Sequence, residues 1–238
     1  MPIESFSASR ASKHLACHAS ANLSVAIPGW QEPPNDGDTK ASVKGTAMHE
    51  ILEAAGQYTA TEMMGIARAM LYVAELRKTR RFKMETELQG TGWWLSKKPK
   101  TTADVVLYLT DEIHVVDYKF GRIPVEVAGN AQLMFYALSF MPLAPKAKGV
   151  FVHIVQPFAD IYDSVYFTAA ELEQFRLDTI AADDAIQGGD VTFGPSDACK
   201  FCPANPHSRG AKGSPMCPAM IQLLYPHPLD EDAILDML

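Results

Sequence analysis

The chain has 238 residues, of which 47% are hydrophobic and 21% are charged, and its formal net charge is −7. This composition is typical of a folded protein and excludes disorder over most of the length. No apolar stretch approaches the roughly 20 residues of a transmembrane helix, and the first residues lack the pattern of a secretory signal. We therefore expect a cytoplasmic protein with no membrane partner. One domain is predicted over residues 1–225, followed by an acidic tail over residues 226–238.

Charged side chains are unevenly distributed along the chain. Residues 77–100 carry eight basic and two acidic side chains, whereas residues 156–198 carry one arginine and nine acidic side chains. A molecule polarised in this way can bind a polyanion on one face although its net charge is negative. Two solvated surfaces would explain the same distribution, so charge alone does not establish a nucleic-acid partner.

The predicted elements are typical of an α/β or α+β core with a mixed sheet. An Ala- and Ser-rich N-terminal stretch predicts a first helix with Ser5 or Ser7 as its N-cap, and a hydrophobic period of two from residue 81 predicts the first strand. In chain order, the expected elements are helices at 7–26, 45–57 and 61–80, strands at 82–88, 102–109 and 113–119, a helix at 127–140, strands at 149–156 and 161–167, and a last helix from Thr168.

Two carboxylates and a lysine come together on the second and third strands. In the segment TTADVVLYLTDEIHVVDYK, Asp117 and Lys119 are two residues apart, so both side chains project from the same face of a strand. Asp104 lies near the start of the preceding strand and is expected opposite Asp117. Carboxylate oxygens bind Mg²⁺ or Mn²⁺, and a lysine can orient or deprotonate water, so the group predicts phosphodiester hydrolysis. A surface ion pair is the simpler explanation of the Asp-x-Lys spacing alone.

Other side chains extend this candidate site. Glu85 and Glu87 share the polar face of the first predicted strand, and one of them is expected to add an oxygen ligand. His49 lies one turn into a predicted helix and is a candidate metal ligand. Gln132 and Tyr136 lie four residues apart, hence on one face of the helix that follows the hairpin. Taken singly, each of these residues has an ordinary structural explanation.

The order of these motifs is more specific than any one of them. It runs from Gly45-x-x-x-His49, through a strand glutamate and Asp104, to Asp117-Tyr118-Lys119 and Gln132-x-x-x-Tyr136. This order resembles that of the RecB-type branch of the PD-(D/E)XK nuclease superfamily. The sequences NAQLMFYAL and VQP are similar to those of phage-encoded members, and the resemblance extends over residues 7–218.

The resemblance implies a restriction-endonuclease-like core over residues 45–187, with helices flanking a mixed central sheet. It implies that His49, Asp104 and Asp117 hold Mg²⁺ or Mn²⁺ and that Lys119 serves the nucleophilic water. It also implies that the Gln-x-x-x-Tyr helix supports the site and contacts DNA. The expected function is that of a metal-dependent DNA nuclease, in the first instance an exonuclease of phage replication or recombination, acting in the cytoplasm of a bacterial host.

Basic side chains are the candidate DNA contacts. Lys97, Lys98 and Lys100, with Arg122 beyond the catalytic strand, are expected to bind phosphates without reading bases. The expected substrate is single-stranded DNA or the single-stranded end of a duplex. A phage recombinase or a single-strand-binding protein is the expected protein partner.

Four cysteines lie near the ends of the predicted core and none within it. Cys17 stands alone, whereas Cys199, Cys202 and Cys217 lie in residues 193–218, a segment too rich in Cys, Pro and Gly for regular structure. This spacing is compatible with an iron–sulfur cluster, a zinc site or unrelated thiols. CRISPR-associated and helicase–nuclease RecB-like proteins use one upstream and three downstream cysteines. The resemblance therefore implies a 4Fe–4S cluster, with zinc as the alternative, joining the N- and C-terminal segments.

Two further classes of function are open. One is a catalytically idle iron–sulfur module that binds DNA or protein on the same fold. Loss of Lys119 or of either aspartate would favour it, but all three residues are present. The other is an interaction protein that acts through its acidic C-terminal residues, although acidic termini are more often simply solvated.

Overall fold

The computed structural model of the chain describes residues 6–30, 59–205 and 217–220. The helix expected at 45–57, His49 within it, and the acidic tail at 226–238 lie outside the described residues. The chain divides into two compact units. Unit 1 comprises residues 1–6, 12–36 and 181–238, and unit 2 comprises residues 7–11 and 37–180.

Unit 2 is built on one five-stranded mixed sheet with the strands in sequence order, which confirms the expected sheet type. The pairs β1–β2, β2–β3 and β4–β5 are antiparallel, and the central pair β3–β4 is parallel. Between β3 and β4 the chain crosses over through a helix, as a parallel connection requires. The strands are β1 (Lys83–Thr91), β2 (Lys100–Tyr108), β3 (Ile113–Tyr118), β4 (Gly149–Gln156) and β5 (Ile161–Thr168).

Among the described residues, the two N-terminal helices are short, and the three helices that follow residue 59 are longer. The last residue before the first long helix, Thr59, forms a capping box with Glu62. Thr168 and Glu171 make the equivalent contacts at the start of the last helix, as predicted. The helices are α1 (Ala11–Ala16), α2 (Leu23–Ala26), α3 (Ala60–Thr79), α4 (Ala131–Phe140) and α5 (Ala169–Gln187). None of them is long and apolar enough to cross a membrane.

One face of the sheet packs against α3. Strand alternation places Val105 and Leu107 of β2 on this face, where they join Val116 and Tyr118 of β3 in a buried cluster with Val73 of α3. The β3 residues that alternate with this cluster point to the opposite face. The end of β3 therefore carries a tyrosine on one side and Asp117 on the other.

The helix predicted over 127–140 begins later, at Ala131. Gly129 has a φ of +66°, a conformation that an α-helix does not accommodate. The Asn130 side chain then accepts hydrogen bonds from the backbone N–H groups of Gln132 and Leu133, at 3.1 and 3.3 Å. Asn130 is thus the N-cap, a role for which asparagine is strongly preferred.

The single helix predicted over 7–26 is wrong, because this stretch forms four short pieces. Two 3₁₀ turns, Ala8–Arg10 and His18–Ala21, alternate with α1 and α2. Cys17 is extended, and the Ser20 hydroxyl donates to its carbonyl at 2.6 Å. Ser7 precedes the first turn, but its side chain makes no capping hydrogen bond. Short polar side chains compete with the helix for backbone groups, and that competition breaks this stretch.

Residues 193–205 are mostly irregular, as expected, but contain one 3₁₀ helix, Asp197–Phe201. In unit 1 this segment and the residues just before it, 190–192, contact the N-terminal pieces directly. The Ala19 N–H donates to the Thr192 carbonyl at 3.1 Å, and His18 Nδ1 lies 2.7 Å from Asp190 Oδ2. Gly194 faces the Ala16 carbonyl so closely that no side chain fits there.

Candidate active site

Two carboxylates face each other on neighbouring strands. Val105 pairs with Val116, and the same antiparallel register continued by one residue sets Asp104 opposite Asp117. Such cross-strand neighbours have Cβ atoms about 5 Å apart. Asp117 is buried, with 5% of its surface exposed. Burial, and then repulsion from Asp117, raises the pKa of Asp104 to about 7. The surroundings therefore do not fully stabilise two negative charges on this carboxylate pair.

Lys119 directly follows the last residue of β3. Its Nζ lies 2.8 Å from Asp117 Oδ2, so the two side chains do share a face as predicted. Burial lowers the pKa of Lys119, but attraction to Asp117 outweighs it and the net direction is upward. The backbone N–H of Lys119 donates to the Val155 carbonyl at 2.9 Å. Lys119 is therefore a charged ammonium group in a fixed position.

A third carboxylate, that of Glu87, approaches this pair from β1. The register sets Glu85 opposite Val106 and Leu88 opposite Ala103, so Glu87 falls opposite Asp104. Repulsion from Glu87 also raises the pKa of Asp104, and both residues line one pocket. Glu87 has a φ of +49°, which is rare for a residue with a side chain. The sequence did not decide which of Glu85 and Glu87 belongs to the site, and the structure places Glu87 beside Asp104.

The Gln132 and Tyr136 pair lies on α4 and reaches the same group. Gln132 Nε2 donates to the Tyr136 hydroxyl at 2.9 Å. Burial, and then the negative charge of Asp117, raises the pKa of Tyr136 to about 12, while Lys119 opposes this. Tyr136 is therefore protonated at neutral pH and available as a hydrogen-bond donor beside Asp117.

Sequence reasoning used the VQP motif for resemblance only and missed the structural role of Gln156. This side chain is 1% exposed and makes three hydrogen bonds to the loop after Lys119. Its Nε2 donates to the carbonyls of Gly121 and Ile123 at 2.9 and 2.7 Å, and its Oε1 accepts from the Val125 N–H at 3.1 Å. A lone glutamine at the end of an apolar strand was the signal that could have found it.

The loop held by Gln156 carries Arg122, one of the expected DNA contacts. Its guanidinium lies 5.9 Å from the centre of the Phe158 ring. Arg122 and Phe158 line a pocket together with Lys119, so the loop extends the site beyond β3. The other expected contacts, Lys97, Lys98 and Lys100, are exposed in and after the β1–β2 connection.

The donor groups do not form a complete metal centre in the described part of the chain. No group of three or more His, Cys, Asp or Glu side chains there is positioned to hold a metal ion. The predicted ligand His49 lies outside the described residues. What the structure shows is a set of carboxylates around Asp104 with a lysine and a tyrosine beside it.

The four cysteines lie together in unit 1. All four line one pocket, with Lys13 and Phe193 among its other walls, and all are free thiols. Burial raises the pKa of Cys202, and Cys17 and Cys217 are near enough to add to that rise. The described side chains form no cluster-binding geometry. The structure thus brings all four cysteines to one pocket.

A family model describes most of this chain. Residues 58–238 match the family described as "Protein of unknown function (DUF2800)". The chain belongs to the DUF2800 family. No curated protein matches it significantly. Among solved structures, the one titled "Crystal structure of SSO0001" is 12% identical, covers 84% of each chain and has a TM-score of 0.38.

The DUF2800 match includes the whole sheet and all three carboxylates of the candidate site. It also includes Lys119, the Gln132 and Tyr136 pair and the three downstream cysteines. Cys17 and His49 precede the matched residues. The described residues of the candidate active site therefore all lie in the DUF2800 region, whereas the predicted metal ligand His49 and the upstream cysteine Cys17 lie outside it.

Proposed function

We propose that this protein is a metal-dependent deoxyribonuclease. The observation that carries the proposal is the strand register that sets Asp104 opposite Asp117, with Lys119 Nζ 2.8 Å from an oxygen of Asp117. Acidic oxygens and an ammonium group that converge at the end of a strand suit attack of water on a phosphodiester. The resemblance of the motif order to RecB-type PD-(D/E)XK nucleases supports the same reaction.

The carboxylates are of the chemical type that suits a hard divalent cation. Asp104, Asp117 and Glu87 supply only carboxylate oxygens, the ligands that Mg²⁺ and Mn²⁺ prefer. The raised pKa of Asp104 shows that the negative charge of the group is poorly compensated. Bound there, the cation would polarise the phosphate and lower the pKa of water. His49 is the proposed nitrogen ligand from the resemblance.

Other residues position the attacking water and bind the phosphates of the substrate. Lys119 is charged and fixed, so it holds the attacking water and offsets charge that develops on the phosphate. Tyr136 accepts a hydrogen bond from Gln132, so its own O–H is available to donate beside Asp117. Arg122 and the lysines of the β1–β2 connection neutralise phosphates of the bound strand. We place the activity in phage DNA replication or recombination on the strength of the resemblance.

The test is cleavage of end-labelled linear and closed circular DNA by anaerobically purified protein. We expect linear DNA to be degraded with Mg²⁺ or Mn²⁺ and to be intact with EDTA. Degradation of the linear form alone would establish an exonuclease, and degradation of both would establish an endonuclease. Intact DNA with every metal would contradict the proposal and favour the idle DNA-binding module.

The cysteine pocket is the proposed site of a structural 4Fe–4S cluster. The pocket offers four thiols and mainly apolar surroundings, the donor chemistry of such clusters, although zinc accepts the same ligands. The cluster would fasten the N-terminal segment of unit 1 to its C-terminal segment. Iron and zinc analysis of protein isolated without oxygen distinguishes the two metals, and absence of both would contradict the proposal.

A further inference from the structure

An exposed tryptophan stands in the basic connection between β1 and β2. Trp93 has 46% of its surface exposed, whereas its neighbour Trp94 packs against Phe135 with ring centroids 4.8 Å apart. The indole N–H of Trp94 donates to the Thr179 hydroxyl at 3.0 Å. Packing and hydrogen bonding thus explain Trp94, and they leave much of the Trp93 ring in solvent.

Trp93 is nevertheless held in place. Its indole N–H donates to the Leu138 carbonyl at 3.4 Å, in the last turn of α4, where helical carbonyls lack intrahelical partners. The connection is closed by the Gly92 N–H, which donates to the Pro99 carbonyl at 2.8 Å. A Cβ on Gly92 would meet the Phe135 ring at 2.8 Å, so the turn depends on glycine. An aromatic ring with a fixed edge and an open surface is a preorganised binding element.

Three lysines follow this ring along the chain. Lys97 and Lys98 lie in the same connection, Lys100 begins β2, and all three are exposed. The Lys98 N–H donates to the carbonyl of the buried Leu95 at 3.1 Å, which fixes the turn that carries the lysines. A rigid aromatic surface beside several cations complements a strand that alternates bases and phosphates.

We propose that Trp93 is a stacking platform for bases of single-stranded DNA, whose phosphates bind Lys97, Lys98 and Lys100. Stacked duplex bases expose no ring face to a side chain, so the ligand is an unpaired strand or end. Lys100 precedes Asp104 by four residues of β2, about 13 Å at the usual rise. Strand β2 therefore leads from the lysines toward the carboxylates. This assignment of substrate class rests on the proposed nuclease function, whereas binding of the DNA does not require cleavage.

The test is equilibrium binding of labelled oligothymidine in EDTA, with the full chain and its variants. Stacking on an aromatic side chain contributes about 1–3 kcal/mol per base, so Trp93→Ala should weaken binding between about fivefold and 150-fold. Trp93→Phe retains a ring without the indole N–H and should recover most of the affinity. Leu177→Ala removes a side chain of matched exposure, 47%, and should leave the affinity unchanged.

Three outcomes would overturn the proposal. The first is unchanged affinity of Trp93→Ala in a variant that unfolds at the wild-type temperature. The second is an equal loss of affinity for oligothymidine and blunt duplex, which would make Trp93 a general structural support. The third is tighter binding of the matching oligouridine strand, which would assign the platform to RNA. Binding that depends on Trp93 in a protein that cleaves no DNA would instead refute only the nuclease proposal.

Discussion

The backbone N–H of Tyr118 donates to Oδ2 of Asp104 at 2.6 Å. Tyr118 lies between Asp117 and Lys119, so this hydrogen bond attaches the carboxylate of β2 directly to the segment that carries both residues. The three charged side chains are thereby fixed by backbone geometry. A site with little freedom to reorganise is well suited to stabilising charge as it develops.

The first prediction concerns Lys119. Lys119→Met removes the ammonium group but keeps the apolar stem, so cleavage should fall by at least about a hundredfold, the lower end for a positioned acid–base group. Binding of DNA in EDTA should change little. Lys148→Met, at an exposed lysine just before β4, is the control and should cleave at the wild-type rate. Near-normal cleavage by Lys119→Met would show that the site is wrongly assigned.

The second prediction separates the two glutamates of β1. Glu87→Gln should weaken Mn²⁺ binding about tenfold or more, because Glu87 lies opposite Asp104 and Glu85 does not. Glu85→Gln, on the same strand, is the matched control. Calorimetric titration with Mn²⁺ measures both. Equal affinities for the two variants would remove Glu87 from the proposed ligand set.

The third prediction concerns the three hydrogen bonds of Gln156. Gln156→Leu leaves two carbonyls and one N–H of the 121–125 loop without their partner, at a cost of about 2–4 kcal/mol in unfolding free energy. Trypsin should also cut faster after Arg122 because the loop is released. Gln174→Leu changes an exposed glutamine of α5 and should have a small effect in urea unfolding. A stable, protease-resistant Gln156→Leu protein would contradict the role of this side chain.

The fourth prediction is a dependence of stability on pH. His153 Nδ1 lies 3.0 Å from the Tyr72 hydroxyl, and His153 Nε2 lies 2.9 Å from His114 Nδ1. His114 Nε2 lies 2.9 Å from Glu112, so the chain is satisfied when both imidazoles are neutral. Burial, and then His114, lowers the pKa of His153 to about 3.

The unfolded chain binds a proton to this histidine near pH 6.5 and the folded chain does not. The contribution of neutral His153 to the unfolding free energy is therefore fully present above that pH. This contribution is lost as the pH falls from about 6.5 toward 3, by up to about 1.4 kcal/mol per pH unit. His153→Gln should reduce this slope in urea unfolding at a series of pH values. An NMR titration that shows protonation of His153 near pH 6.5 in the folded protein would refute the prediction.

The fifth prediction concerns the cysteine pocket. If the four thiols hold one cluster, Cys17→Ser should lower the melting temperature as much as Cys202→Ser, because either change leaves the ligand set incomplete. The wild-type protein should contain about four irons per chain. Ser24→Ala, seven residues after Cys17 in the chain and outside the pocket lining, is the control. Independent effects of the two cysteine variants, with no metal in the protein, would refute the cluster.

Periodicity predicted the sheet well and the site in part. Strand β4 has the predicted bounds, because a nearly continuous apolar run of this length is typical of a strand that is buried on both faces. The N-terminal helix was wrong because the contacts of Cys17 with Ser20 and of Ala19 with Thr192 override local propensity. The choice between Glu85 and Glu87 required the strand register, which alternation alone does not specify.

Unit 1 is assembled from segments that precede and follow residues 37–180, the main segment of unit 2. On a ribosome that adds about 5–20 residues each second, the first segment must wait until the last is synthesised. Its buried side chains, Leu23, Ile27 and Trp30, stay without their partner Ala204 for that time. Residues 12–30 are thus a hydrophobic nascent segment, available to chaperones and vulnerable to aggregation until translation has passed residue 204.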